Sequence, residues 1–265
     1  MNKKYHFISG LPRSGSTLLT SVLNQNPRFY SGITDSLITY MSAVINANVD
    51  RPIRASLTEE VLKNTIEGLF NGYYKNIDKE IIFNTNRGWT KKVEYLHRIN
   101  SNFKIICCVR ELRWIFNSFE LLFKTRKTLR DPTNPNNLYG SVEGSRSVWT
   151  RTDQLATEQN VVRSGYDALL EAYYGPYRNH LLLVEYDNLT NYPKETMMQI
   201  YDFIEEPYYN HDFNNVEYFN DEFDFETMIT GLHTVRKKIE PNPGTRVLPP
   251  DLWDKYSNWE FWRHD

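Results

Sequence analysis

Residues 10 to 19 read Gly-Leu-Pro-Arg-Ser-Gly-Ser-Thr-Leu-Leu. Gly10 and Gly15 stand where a nucleotide-binding phosphate loop, G-x-x-x-x-G-K-[ST], places its glycines, and Thr17 stands at its hydroxyl position. Ser16 occupies the position of the lysine. A glycine turn that opens a helix presents backbone N–H groups to an anion without side-chain help. Arg13 adds a planar fork suited to tetrahedral oxyanions. Ser14, Ser16 and Thr17 add hydroxyl donors. The chemistry expected is anion binding, against the plainer reading of a Gly-Ser turn before a helix. The missing lysine speaks against transfer of a γ-phosphate. So does the strand FKIICCVR, which ends in arginine rather than in a carboxylate that would hold Mg²⁺.

A second group follows that strand. Arg110 stands at its end, and Ser118 lies eight residues on, two turns into the next predicted helix. The two reach one oxyanion only where the chain bends sharply after Arg110. Taken alone, a strand-end arginine is a surface ion pair as readily as a phosphate grip. Further candidates sit after other predicted strands: Asp35, then Arg87 and Trp89, then Tyr186.

The elements that position these residues follow from periodicity. Tyr5 to Ser9 is a short buried strand, and Ser16 to Gln25 carries Leu18, Leu19, Val22 and Leu23 at helical spacing. A strand–loop–helix context is what a phosphate loop requires. Strands are expected near 28–31, 80–84, 103–109 and 180–185. Helices are expected near 37–48, 57–77 with Thr58 as N-cap, 90–99, 111–124, 145–177 with a break at Gly165, and 194–204. The Pro- and Asn-rich stretch 127–144 reads as a long mobile loop, and the tail from Pro207 as an irregular extension. Alternating strands and helices predict one α/β domain, a three-layer parallel sheet with helices on both faces. In such sheets ligands bind at the carboxyl ends of strands, where the candidates lie.

Composition bounds the rest. The chain has 265 residues, 40% of them hydrophobic, and a net charge of −2, so no general basic character points to nucleic acid. Cys107 and Cys108 are adjacent on a strand, point to opposite faces and are poorly placed to bridge. The apolar stretch after Lys3 and Lys4 is too short for a signal peptide, and no run approaches the roughly 20 apolar residues of a membrane span. A soluble, cytosolic protein is expected. The six histidines show no H-x-x-x-H pair, and no metal is expected.

These motifs resemble a known family. GLPRSGSTLL is similar to the 5′-phosphosulfate loop of the PAPS-dependent sulfotransferases. Arg110 with Ser118 resembles their 3′-phosphate site, and VEYDNLTNYP followed by IYDFIEEP resembles their strand-end tyrosine-acidic motif and the helix after it. The three matches occur in order between Tyr5 and Pro207. Arg13, where many cytosolic members carry lysine, is closer to the tyrosylprotein and carbohydrate branches. The resemblance implies PAPS as donor and PAP as product, without a metal. It places Arg13, Ser14, Gly15, Ser16, Thr17 and Leu18 on the phosphosulfate and Arg110 and Ser118 on the 3′-phosphate. Tyr186 would approach the adenine, or be a half-buried aromatic after a strand. Trp89 would stack on adenine or lie in the core. Arg236 and Lys237, with Lys238, would close over the 3′-phosphate or form a solvated charge run.

The reaction implied is in-line transfer of a sulfuryl group to a hydroxyl or amine of a small-molecule, carbohydrate or peptide acceptor. Arg13 would stabilise the leaving phosphate oxygen. Asp35 stands near the position of the tyrosylprotein branch's catalytic glutamate, and is equally placed to cap a helix at Leu37. His97 is its rival as base. Arg87 stands where relatives often carry a lysine near the transferred group. Lys127 and Arg130 would favour an acidic acceptor or be solvated loop charges. The other classes left open are a P-loop kinase or NTPase and a non-catalytic nucleotide-binding protein.

Overall fold

The computed structural model describes residues 3–46, 58–125, 147–216, 235–241 and 244–263. The expected loop 127–144, with Lys127 and Arg130, lies outside them. Five strands, β1 (Lys4–Gly10), β2 (Phe29–Ser31), β3 (Ile81–Thr85), β4 (Ile105–Val109) and β5 (Leu181–Glu185), form one sheet in the order β2-β3-β1-β4-β5. Every pairing is parallel. β3 and β4 are buried at every position, as strands covered on both faces must be.

Among the described residues ten helices accompany the sheet: α1 (Ser16–Leu23), α2 (Leu37–Ile45), α3 (Glu59–Tyr73), α4 (Val93–Ile99), α5 (Leu112–Thr125), α6 (Val148–Leu155), α7 (Val161–Tyr174), α8 (Tyr186–Asn191), α9 (Pro193–Ile204) and α10 (Pro250–Lys255). Leu19 and Val22 of α1 and Met197 and Ile200 of α9 pack on one face, over Ile8, Ile106 and Cys108. Phe70 of α3, Ile115 of α5 and Leu169 of α7 pack on the other, over Phe7, Ile105 and Cys107. Cys107 and Cys108 therefore enter opposite cores, and both are unbridged, as the alternation of a strand requires.

The chain lays β1 in the middle, runs out to β2 and β3 on one side, then returns to β4 and β5 on the other. The strand order thus reverses beside β1, and the crevice for a ligand opens at the carboxyl ends of β1 and β4. That is where Arg13 and Arg110 stand.

Three expected elements differ. The helix expected over 90–99 begins as a 3₁₀ turn, Arg87–Lys92, because the Asn86 side chain accepts the Gly88 N–H at 2.9 Å and tightens the entry. The break expected at Gly165 falls between Leu155 and Val161; Gly165 lies inside α7, where the helix approaches the Gly10 carbonyl. The C-terminal extension is not wholly irregular, since it contains α10 and a 3₁₀ turn, Phe261–Arg263. Thr58 caps α3 as expected, accepting from Val61 N–H at 3.2 Å.

One buried ion pair fixes α6 against α5. Arg151 donates from Nε to Glu120 Oε2 at 2.8 Å and from Nη2 to Oε1 at 2.7 Å. The two side chains are 9% and 2% exposed, and the guanidinium lies 4.0 Å from the Phe123 ring centroid. Glu120→Ala leaves that guanidinium buried without its carboxylate, a defect worth about 3–5 kcal/mol. Urea unfolding of the variant is expected to show a loss of that size; a loss under about 1 kcal/mol would mean that water replaces the carboxylate.

Candidate active site

The loop after β1 is built by close approach of backbones. Gly10 pairs with Cys108 across the sheet, and Leu11 N–H bonds the Cys108 carbonyl at 2.9 Å. Gly10 has φ +103°, and a Cβ there would stand 2.2 Å from the Cys108 oxygen, so no other residue fits. The Ser14 hydroxyl donates to the carbonyls of Leu11, at 2.5 Å, and Cys108, at 2.8 Å. This corrects the expectation that Ser14 offers its hydroxyl to a ligand: the side chain is buried and ties the loop to β4.

Arg13 has φ +58°, a left-handed conformation that costs an arginine about 1–2 kcal/mol. Its Nε donates to Ser118 Oγ on α5 at 3.0 Å. Ser118 is thus linked to the loop arginine, and its own hydroxyl hydrogen remains to donate. Gly15, at φ +94°, begins α1 and supplies no side-chain cap. Ser16, Thr17 and Leu18 form the first turn, partly exposed, where helix N–H groups lack intrahelical acceptors. An anion is the natural partner of such an end.

Arg110 closes β4 one position beyond the Val109–Glu185 pair, and Tyr186 follows Glu185 on the next strand. The Arg110 guanidinium lies 4.1 Å from the centroid of the Tyr186 ring and 5.6 Å from that of Trp114. Its Nε is buried with no hydrogen-bond partner. Burial lowers its pKa from the usual arginine value. Tyr186 also borders the loop, since a Cβ on Gly15 would meet its ring at 2.9 Å. The tyrosine thus separates the Gly15 turn from Arg110 and touches both sides.

On the opposite flank, Asp35 sits in a network of neutral donors. Its Oδ1 accepts Leu37 N–H at 3.1 Å. Its Oδ2 accepts from the Tyr74 hydroxyl at 2.6 Å and from Asn84 Nδ2 at 2.5 Å. Burial, with Asp35 next, raises the Tyr74 pKa well above the usual phenol value, so the phenol remains a donor. Trp89 completes the set by donating from Nε1 to Asn84 Oδ1 at 2.8 Å. Trp89 is fully buried and packs 4.3 Å from Phe7, so it is a core residue and not a platform for adenine. Arg87 begins the 3₁₀ turn after β3, and its carbonyl accepts the Ser9 hydroxyl at 3.0 Å. Its side chain is exposed at the surface, and desolvation by the surrounding protein lowers its pKa.

His97 is placed elsewhere. Its Nδ1 lies 3.1 Å from Nε2 of His180, which precedes β5 at the amino end of the sheet. It cannot serve a site at the carboxyl ends. Arg236 and Lys237 stand exposed on a segment held through Lys237 O to Val216 N, 2.7 Å, and Ile239 N to Phe213 O, 2.9 Å. Residues 212 and 215 are in turn bound by Gln25, beyond the far end of α1 from the loop. The C-terminal segment that does approach the Arg110 side is 244–248. Asn117 donates to Thr245 O at 2.9 Å and accepts from Val247 N–H at 2.7 Å, and Gly244 lies against Trp114. Asn117 and Trp114 carry no sequence motif of their own; only their place beside Ser118 and Arg110 marked them.

The model of the Sulfotransferase family matches residues 6–210 of the 265. The chain belongs to the sulfotransferase family. Among solved structures it is similar to the sulfotransferase domain from the curacin biosynthetic pathway, at 18% identity over 79% of this chain and 76% of that one, with a TM-score of 0.51. It is also matched by the sulfotransferase domain of the Synechococcus PCC 7002 olefin synthase, at 16% identity over 97% and 88%, TM-score 0.47. A sulfotransferase from Alicyclobacillus acidocaldarius follows at 12% identity over 85% and 90%, TM-score 0.45. No curated protein matches the chain. Among the described residues no helix is long and apolar enough to cross a membrane, and no group of three or more His, Cys, Asp or Glu side chains is set to hold a metal ion.

Gly15→Ala is expected to destabilise the fold by about 1–3 kcal/mol, since alanine is strained at φ +94° and its methyl meets Tyr186. Chemical denaturation in wild-type and Tyr186→Ala backgrounds separates the two parts: the steric part disappears with the ring, the backbone part does not.

Proposed function

We propose that the protein is a PAPS-dependent sulfotransferase that sulfurylates a hydroxyl or amine of a small-molecule, carbohydrate or peptide acceptor and releases PAP. One observation carries the reading. Arg110 is stacked on Tyr186 beside a glycine loop, and its buried Nε has no protein partner. A buried donor of this kind is expensive unless a ligand satisfies it, and the ligand that suits a guanidinium is an oxyanion. The residues fit a donor with two separate anionic groups. Arg13 with the N–H groups of Gly15 to Leu18 would hold the phosphosulfate, and Arg110 the 3′-phosphate. Tyr186, between them, offers a ring to the nucleoside. Arg236 and Lys237, by contrast, draw no support from their contacts. The soluble nucleotide donor suits the cytosolic setting expected from the sequence.

PAPS, when bound, supplies the sulfuryl group. Arg13 and the loop N–H groups stabilise negative charge on the phosphate oxygen that leaves. Their advantage is preorganisation: Ser118 and the left-handed backbone fix the arginine before any ligand arrives. Asp35 accepts the proton that the acceptor loses. The N–H of Leu37, the Tyr74 hydroxyl and the Asn84 amide orient its carboxylate for that task. Arg87, reaching solvent after β3, adds positive charge on the acceptor side.

Calorimetric titration tests the donor. Adenosine 3′,5′-bisphosphate is expected to bind at micromolar concentration and to lose at least about tenfold in affinity in Arg110→Ala. Tight binding of ATP with Mg²⁺, without response to the bisphosphate, would instead make the protein a P-loop kinase or NTPase. Turnover with labelled PAPS tests the catalytic residues. Arg13→Ala is expected to lower kcat by roughly 10²–10³. Asp35→Asn is expected to lower it by roughly 10²–10⁴ while leaving bisphosphate affinity unchanged; full turnover in that variant rules Asp35 out as the base.

A further inference from the structure

Arg110 and Tyr186 each have a carboxylate as chain neighbour. Glu111 follows Arg110, and Glu185 precedes Tyr186. Both glutamates are mostly buried, at 14% and 19% side-chain exposure. Two such carboxylates beside an anion site are a hazard. They repel the ligand, and either one is a ready partner for the Arg110 guanidinium, which already feels the fields of Asp187 and Glu111. Yet Arg110 Nε is unpartnered. The reason lies in the last turn of the described chain. Arg263 donates from Nε to both oxygens of Glu185, at 3.1 and 3.0 Å, and from Nη2 to Glu185 Oε2. Its Nη1 donates to Glu111 Oε1 at 2.8 Å, while Arg113 Nε takes Glu111 Oε2 at 2.6 Å. The 3₁₀ turn that carries Arg263 is anchored by Phe261, which is buried between Tyr166 and Tyr173. Neighbouring Trp259 accepts the Tyr166 hydroxyl through its carbonyl at 2.8 Å.

We propose that Arg263 is a positioning residue of the donor site: it sequesters the carboxylates of Glu111 and Glu185 from Arg110, and so keeps the Arg110 guanidinium on Tyr186 and free for an anion. The proposal rests on the reading of Arg110 as a donor grip. Arg263 lies beyond residues 6–210 that the family model matches, so this part of the site belongs to the chain's own C-terminus. The bridge is partly exposed, and such pairs add little to stability. Its effect is therefore expected in binding rather than in melting temperature.

Two measurements test it on the full chain. The first needs no ligand. The Nε–H signal of Arg110 in ¹⁵N-arginine spectra, assigned with Arg110→Lys, is expected upfield in wild type because it lies near the Tyr186 ring. In Arg263→Ala it is expected to move downfield as the guanidinium turns to a carboxylate. An unmoved signal overturns the proposal whatever the protein binds. The second is calorimetry with adenosine 3′,5′-bisphosphate. Arg263→Ala is expected to bind about tenfold more weakly or worse, with little change in melting temperature. Adding Glu111→Gln and Glu185→Gln is expected to recover most of the loss. A loss that the glutamine changes do not recover means that Arg263 only holds the tail in place, and also overturns the proposal. If the signal shifts as expected but wild type does not bind the bisphosphate, Arg263 still guards Arg110 and the donor reading alone has failed.

Discussion

The carbonyl of Cys108 is the constraint on which the site depends. It accepts Leu11 N–H at 2.9 Å and the Ser14 hydroxyl at 2.8 Å, and it leaves no room for a side chain on Gly10. A parallel pair of strands normally ends by diverging into separate crossovers. Here the loop after β1 is stapled back onto β4 before α1 begins. The staple sets where Arg13 emerges, and Arg13 then reaches Ser118 on the helix that follows β4. Both anion-facing groups, the loop and Arg110, are thus referred to the same strand. Their separation is fixed by the sheet rather than by flexible side chains.

The electrostatics are local rather than global. The chain has a net charge of −2, so no overall field draws an anion in. What matters is how each charge at the strand ends is engaged. Arg13 is bonded through Nε to a neutral hydroxyl, and Arg110 lies against aromatic faces. The glutamates nearest to Arg110 are matched by Arg263 and Arg113.

Much of this was legible in the chain. The Gly10–Gly15 spacing, the apolar run before Arg110 and the alternation of elements specify a parallel α/β sheet with a glycine loop between β1 and α1, because each depends on local sequence. What was not legible depends on contacts between distant segments. Ser14 reads as a ligand donor until β4 is seen to supply its acceptor. Trp89 reads as a stacking residue until Asn84 and Phe7 are seen around it. His97 reads as a rival base until the register of the sheet puts it with His180 at the wrong end. The basic run at 236–238 attracts attention by composition, yet the C-terminal segment that reaches Trp114 and Asn117 is 244–248, which carries a single arginine. Composition reports charge; only packing reports where the charge is delivered.

The carboxylates show why burial and charge must be read together with partners. Asp35, Glu111 and Glu185 all follow or close strands of the sheet, and their partners differ. Glu185 is gripped by an arginine fork, and Glu111 is shared between two arginines. Burial works to raise the Glu111 pKa, but the hydrogen bonds from Arg113 and Arg263 outweigh it and hold the carboxyl below its usual range. The partners of Asp35 are an amide N–H, a phenol and a carboxamide, all neutral. They fix its direction while leaving the opposing positive charge to the substrate side, where Arg87 stands after β3. The division follows from the sheet order. The ends of β4 and β5 carry glutamates matched by arginines, and the segment after β2 carries Asp35 among neutral donors.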